Sequence, residues 1–395
     1  MMEAAARPSR ATALTVFVVI LLVSAAYQAC FCLAMSQGDL TGLFFIGGVM
    51  RQPPERTEGF SYPDSTGYDG QFYRLLAHDP LLGKGYRVYF DDARYRSRRV
   101  LIPAVAALLG AGSPVAVDFW YVAITDVLIA LGGVCFVFLT FPRCRPPVSI
   151  LLYLFIPAII ASTDRMVLDG PSVAGFLAVW LFLRDERYGP LLAVLTALPL
   201  LREANLCVTV GCMLVFLKSR DGRRIVLCAL TVIPSLAWWW YVAAHTPPSP
   251  AARLVLSVPL LPLVIRLFKG YPGNAGPLEM ALLRSLAVMG VLCLLGAFAW
   301  LAKAMWDESR EDGGIRYDTL LILPTAILGA FAENKEVLAS PYAFMRVNSM
   351  LLVWVALRLM NVRTVWAAIY LPASSLALAV FRASVLFRFI TRVVF

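Results

Sequence analysis

Histidine is nearly absent from this chain. His78 and His245 are its only two, and they lie far apart without the spacing of metal ligands. No P-loop, no dinucleotide-binding fingerprint and no Gly-x-Ser-x-Gly elbow occurs, which argues against a nucleotide-driven pump and a serine hydrolase. Charge is scarce as well, at 15% of residues. The polar segment 36 to 98 holds no cysteine, and the eight cysteines, at 30, 32, 135, 144, 207, 212, 228 and 293, sit in or beside apolar runs. A disulfide framework is thereby excluded as the organising feature. The chain also lacks internal repeats and low-complexity tracts, so a transporter built from inverted repeats gains no support.

Hydrocarbon fills the chain instead. Of 395 residues 60% are hydrophobic and the mean hydropathy is +0.74, more apolar surface than a soluble domain of this size can hide. The expected fold is therefore an all-α polytopic membrane protein, a single transmembrane domain over 1–395. Spans are expected near 11–34, 118–141, 148–163, 169–184, 189–202, 205–218, 224–245, 278–303, 317–332, 343–360 and 364–381, about 11 in all within a range of about 9 to 13. Residues 11–35 could be taken for a signal peptide, but the stretch is long and no small-residue cleavage site follows, so it reads as an anchoring helix.

The net charge of +10 would suggest nucleic acid in a soluble chain. Here the basic residues cluster between apolar runs, where they set topology and meet membrane lipids, so nucleic acid is discounted. Arg143, Arg145, Arg184, Arg187, Lys218, Arg220, Arg223, Arg224, Lys303, Arg310, Arg316, Arg358 and Arg363 fall on one side, which reads as cytoplasmic, together with the N-terminus. The first external loop, 36–117, the second, 246–277, and the stretch "ENKEVLASPY" at 333–342 then lie outside. Within the first loop, "RVLIPAVAALLGAG" at 99–112 is short for a span and is expected in the outer interface.

Chemistry concentrates in "GYDGQFYRLLAHDP" at 67–80. Phe72, Tyr73 and Leu76 recur at helical spacing behind Asp69, which places that carboxylate at a helix N-terminus, either as a plain cap or as a general base held ionised near its proton donor. Downstream, "DDARYRSRRVLIP" carries Arg96, Arg98 and Arg99. Guanidinium forks match phosphate oxygens, although any single arginine there could simply snorkel to head groups. Arg202 and Glu203 interrupt a long apolar stretch in "LPLLREANLCVTV", an expensive placement that marks either function or a self-neutralising structural pair. In "STDRMVLDGPS", capping accounts for Asp169, and Asp164 is a secondary candidate. Glu333, Lys335, Glu336, Arg346 and Asn348 read by default as a solvated external loop.

The order of these elements resembles the GT-C fold of membrane glycosyltransferases, and within it the bacterial relatives of the GPI mannosyltransferases. The likeness rests on "GYDGQFYRLLAHDP" followed by "RVLIP", "FPRCR", "FIPAIIAST", "LDGPSVAGFLAVWLFLRDERY" and "LPLLREANL", and covers residues 11–218. It departs from the pattern at Arg74, where a third aromatic is common. The resemblance implies a GT-C-like architecture and transfer of a sugar, with inversion, from a polyprenyl-phosphate carrier to a lipid or glycan acceptor on the external face of the bacterial inner membrane. Asp69 would act as base. Arg96, Arg98, Arg99 and Arg202 would bind the leaving phosphate, Glu203 would orient Arg202 or touch the sugar, and Tyr68, Phe72 and Tyr73 would offer ring surface. Gln71, Asp164 and Arg346 complete the candidate substrate-binding set. A divalent cation, Mg or Mn, is the candidate cofactor, although no Asp-x-Asp pair is present to hold it. A flippase for a lipid-linked saccharide and a non-catalytic envelope-assembly scaffold are the alternatives.

Overall fold

The computed structural model describes residues 7–50, 59–248, 258–268, 277–331 and 341–394. These are almost wholly helical. Among the described residues the strands are two short segments, β1 (Ile46–Gly47) and β2 (Ser61–Tyr62), paired in parallel within the first loop. The helices run α1 (Arg10–Met35), α2 (Asp69–His78), α3 (Ala93–Arg96), α4 (Leu101–Gly110), α5 (Pro114–Thr140), α6 (Pro146–Leu154), α7 (Pro157–Arg165), α8 (Asp169–Arg184), α9 (Tyr188–Leu201) and α10 (Leu206–Lys218). They continue with α11 (Gly222–Leu230), α12 (Ile233–His245), α13 (Leu261–Phe268), α14 (Pro277–Ser309), α15 (Tyr317–Phe331), α16 (Pro341–Val347), α17 (Ser349–Val362) and α18 (Thr364–Val394).

This is an all-α membrane protein. Five stretches, Arg10–Met35, Pro114–Thr140, Gly222–His245, Arg284–Ser309 and Thr364–Arg392, have the length and apolarity to cross a bilayer, or six with the bent pair of α6 and α7. The other expected spans, α8, α9, α10, α15 and α17, are apolar helices of 13 to 16 residues. α5 lies at the centre, packed on α1, α4 and α8, while α10 packs on α15 and α18 on α14 and α17.

Local chemistry explains where the observed helices depart from those expected. The stretch 148–163 is not one helix but two, bent by 63°, because Ile156 takes an extended backbone ahead of Pro157. The stretch 224–245 is interrupted at Thr231 and Val232 ahead of Pro234. The stretch 343–360 breaks at Asn348 into α16 and α17. The last helix, expected to stop at 381, continues to Val394. Its Arg382 is neutralised by Asp164, 3.1 Å away, so the charge does not end the helix.

The two ends of the bundle are fixed by named contacts. At one end Arg7 pairs with Asp185 and the Thr364 hydroxyl donates to the Arg143 carbonyl. At the other, Arg392 donates to the Leu33 carbonyl at 3.1 Å. That second end also carries the first loop. Arg87 and Arg94 donate to the carbonyls of His245, Ala243 and Thr246 at 2.6 to 2.8 Å, satisfying the C-terminal carbonyls of α12 with cations that its dipole favours. Trp238 Nε1 donates to the Ser97 carbonyl at 2.9 Å, so the loop is clamped along α12.

Candidate functional site

Two helices at this end begin with Asp-Gly, and both rest on α7. A Cβ added at Gly70 would lie 2.2 Å from the Arg165 carbonyl oxygen, and one added at Gly170 would lie 2.8 Å from Ser162. Glycine is therefore required for the approach that brings both helix starts onto one face of α7. The preceding Asp69 and Asp169 consequently lie near each other, and each stands at the positive end of a helix dipole.

A single guanidinium joins them. Arg346 Nη2 donates to Asp69 Oδ2 at 2.6 Å and its Nη1 to Asp169 Oδ2 at 3.1 Å. Asp69 Oδ1 accepts from Arg96 Nη1 at 2.9 Å, and Arg96 also grips Asp91 at 2.9 and 2.6 Å. Asp169 Oδ1 accepts in addition from Arg202. Beside them Arg99 holds Glu203 through two bonds of 3.0 and 2.6 Å and donates to the Tyr73 hydroxyl. Four arginines and four carboxylates, drawn from residues up to 277 apart in sequence, thus gather in one charged cluster.

Aromatic faces line it. The Arg96 guanidinium stands 4.7 Å from the Phe72 ring centre, Arg99 stands 4.2 Å from Tyr95, and Arg346 stands 4.8 Å from Tyr68. These contacts help hold cations that burial would otherwise destabilise. Neither aspartate caps its helix through its side chain. The plain-cap readings of Asp69 and Asp169 therefore fail, since their oxygens are committed to arginines.

Burial would raise the Asp69 carboxyl, but Arg346 and Arg96 outweigh it and hold the group well below the usual carboxylate range. Glu203 is likewise drawn down to about 2, burial being outweighed chiefly by Arg99. The network is not sealed. The Asp69 side chain is 21% exposed and that of Glu203 23%, so both carboxylates keep contact with solvent.

The expected residues divide. Asp69, Arg96, Arg99, Arg202, Glu203 and Arg346 converge, with Tyr68 and Tyr73 beneath them. Arg346 corrects the solvated-loop reading, because it is only 6% exposed and lies on a helix. Asn348 donates to the Phe344 carbonyl at the same turn, while Glu333, Lys335 and Glu336 lie outside the described residues. Gln71 accepts from the Gly47 amide and donates to the Thr66 carbonyl at 3.1 and 3.0 Å, which makes it a tie between α2 and the loop strands. Asp164 belongs to a separate pair with Arg382. Arg98 is half-buried, with its Nε lacking an acceptor among the described residues.

Sequence reasoning missed Asp169 as a member and missed how α2 is anchored. Arg74, the departure from the family pattern, makes two bonds of 3.0 and 2.8 Å to Asp118 on α5, and His78 Nε2 lies 2.8 Å from the same carboxylate. The available signal was Asp118 itself, an acid at the start of an apolar span.

Among the described residues no group of three His, Cys, Asp or Glu side chains is placed to hold a metal ion. Asp69, Asp169 and Glu203 are each bound by arginine instead, so the residues do not suit Mg or Mn in this arrangement. Two cavities lie towards the opposite end, an apolar groove of about 240 Å³ lined by Val210, Met213, Leu214, Leu217 and Ile225, and a smaller one beside Tyr188 and Arg224. Fold and network together define an integral membrane protein with a charged, partly exposed cluster at one end of its bundle. Compared with protein-family models, curated proteins and solved structures, the chain matches none.

Proposed function

We propose that this protein is a glycosyltransferase of the GT-C type, moving a sugar from a polyprenyl-phosphate carrier to a lipid or glycan acceptor in cell-envelope glycopolymer or glycolipid synthesis. The observation that carries the reading is the convergence of Asp69 with Arg96, Arg346, Asp169 and Arg202 at a partly exposed end of an apolar bundle. The arginine-rich short loops gather at the opposite end, which the positive-inside rule makes cytoplasmic. The cluster then faces the outside of the inner membrane, and the short helices serve as additional spans towards about eleven.

In the reaction the acceptor hydroxyl oxygen attacks the anomeric carbon, the bond from that carbon to the phosphate oxygen breaks, and the hydroxyl proton passes to Asp69. The polyprenyl phosphate leaves with the bonding electrons. Arg96, Arg99, Arg202 and Arg346 stabilise the charge that grows on it, in a medium where such stabilisation is worth more than in water. Tyr68 and Phe72 offer ring surface to the sugar.

The test is reconstitution of the purified protein with radiolabelled polyprenyl-phosphate sugars and membrane extract, wild type beside Asp69→Asn. Label should leave the carrier only with the wild type. Equal transfer by the variant would overturn the role of Asp69. Polar pairs deeper in the bundle, Gln28 with Asp126 at 2.9 Å and Arg382 with Asp164, favour a second reading, a flippase for a lipid-linked saccharide. Movement of labelled lipid across liposomes without covalent product would support that one.

A further inference from the structure

Asp69 presents a conflict that the proposed reaction must resolve. The residue required as base is held in the resting site by two arginines, Arg346 at 2.6 Å and Arg96 at 2.9 Å. A carboxylate so paired is a weak base, because proton transfer to it is uphill. The same two arginines are the groups that a phosphate would engage, since a guanidinium fork donates to phosphate oxygens as readily as to carboxylate ones.

The network also holds spare donors. The Nε atoms of Arg202 and Arg346 are buried without an acceptor among the described residues, and so is that of Arg98 in the turn beside Arg96. Buried donors are normally satisfied, so a cluster with two unsatisfied guanidinium nitrogens of its own, and a third in the adjoining turn, is short of acceptor oxygens. Its carboxylates do not fill it. Arg346 divides itself between Asp69 and Asp169, and Asp169 retains Arg202 if Arg346 turns away. Arg96 likewise retains Asp91. Asp69 alone has both of its partners contested, and it has 21% of its side chain open to arriving solute.

We infer that the phosphate of the donor enters this site by exchange, taking Arg346 and Arg96 from Asp69, so that the carboxylate becomes an effective base only once the donor is bound. The inference rests on the proposed reading of the site and adds an order of events to it, donor first and acceptor second. It also gives a reason for the resting ion pairs, since an unoccupied site then holds no free base.

A pH dependence follows from the groups that face Asp69. These are Arg96 from α3 with Asp91 behind it, Arg99 from the turn before α4, Arg346 from α16, Asp169 from the start of α8, Arg165 from α7, and Tyr68 and Tyr73 from its own segment. In the exchanged state Asp69 has lost two cations and gained an anionic neighbour, so its proton affinity rises. Anion binding then carries proton uptake, and affinity increases as pH falls.

The experiment is calorimetric titration of the full-length protein in nanodiscs with polyprenyl phosphate, and separately with inorganic sulfate, whose own charge is constant over the range used. Asp69→Asn should bind polyprenyl phosphate about 10-fold more tightly than wild type, because a competitor is gone. With sulfate, wild-type affinity should rise from about pH 8 to about pH 5 while that of Asp69→Asn stays flat. Tighter binding of both probes identifies the bare anionic group as what is exchanged; tighter binding of polyprenyl phosphate alone identifies the lipid-borne phosphate. Either supports the exchange. An Asp69→Asn affinity equal to or weaker than wild type overturns it, as does a pH-independent wild-type affinity. If Asp69→Asn does not fold, Asp69→Ser removes the same charge and is read in the same way. The two claims fail separately: exchange without any sugar transfer refutes the reaction and leaves the exchange, whereas transfer with unchanged Asp69→Asn affinity does the reverse.

Discussion

The protein has a second buried charge network at the opposite end of its bundle, and the two differ in the way that separates chemistry from architecture. There Glu308 at the end of α14, Asp318 at the start of α15 and Arg358 on α17 meet. Arg358 Nε lies 2.8 Å from Asp318 and its Nη2 donates to Glu308. Glu308 accepts besides from the Arg316 amide at 2.9 Å and the Thr319 hydroxyl at 3.2 Å. The Glu308 and Asp318 side chains are only 6% and 3% exposed. That cluster ties three helices together and is closed to solutes. The Asp69 cluster gathers more charge and keeps its two functional carboxylates partly open. A charge network whose carboxylates are closed to solvent supports a fold; one whose carboxylates stay partly open is placed to meet an arriving anion.

The widest separation between the two networks should come from Asp69→Asn, which removes the base and is expected to lower transfer by roughly 100-fold to 10,000-fold with the protein still inserted, as initial rates of label release would show. Arg358→Ala should do the opposite. Leaving Glu308 without its cation and Asp318 with only the half-exposed Arg316 should cost about 3–5 kcal/mol of stability in denaturant titration, with transfer per folded molecule unchanged. Gly70→Ala joins the two effects, because a methyl group 2.2 Å from the Arg165 carbonyl oxygen must push α2 off α7. A loss of about 1–3 kcal/mol should accompany a fall in transfer as Asp69 moves from Arg346.

The smallest effect is a dependence on acid. Asp69 and Glu203 have folded-state pKa values below their unfolded ones. The stability that they contribute is therefore complete above about pH 4 and is lost as pH falls from there towards the folded values. Glu203 reaches its own at about 2. The gap in unfolding midpoint between wild type and an Asp69→Asn, Glu203→Gln double variant should narrow over that window. A gap that stays constant would mean that these carboxylates are not the source of the difference.

Much of this was legible along the chain. The start of α2 at Asp69 followed from the spacing of Phe72, Tyr73 and Leu76, and the bounds of α8, Asp169–Arg184, from an Asp-Gly-Pro start and an arginine finish. Arg202 and Glu203 were conspicuous because charge inside an apolar run is costly. Partnership was not legible. That Asp169 would serve Arg202 and Arg346, Asp118 would serve Arg74 and His78, and Asp164 would serve Arg382 depends on how helices 33 to 218 residues apart pack, and a capping position such as that of Asp169 looks the same whether its side chain bonds inward or outward. The count of spans was equally beyond reach, since α9 and α17, at 14 residues each, satisfy the apolar pattern of a span without its length.

The comparison of the two ends reduces to one measurement, the initial rate of sugar transfer per folded molecule for Asp69→Asn and Glu308→Gln side by side in the same reconstituted membrane. The account predicts that transfer collapses in the first and persists at the wild-type rate in the second. Transfer that survives in Asp69→Asn, or falls equally in both, would contradict the assignment of chemistry to the Asp69 end.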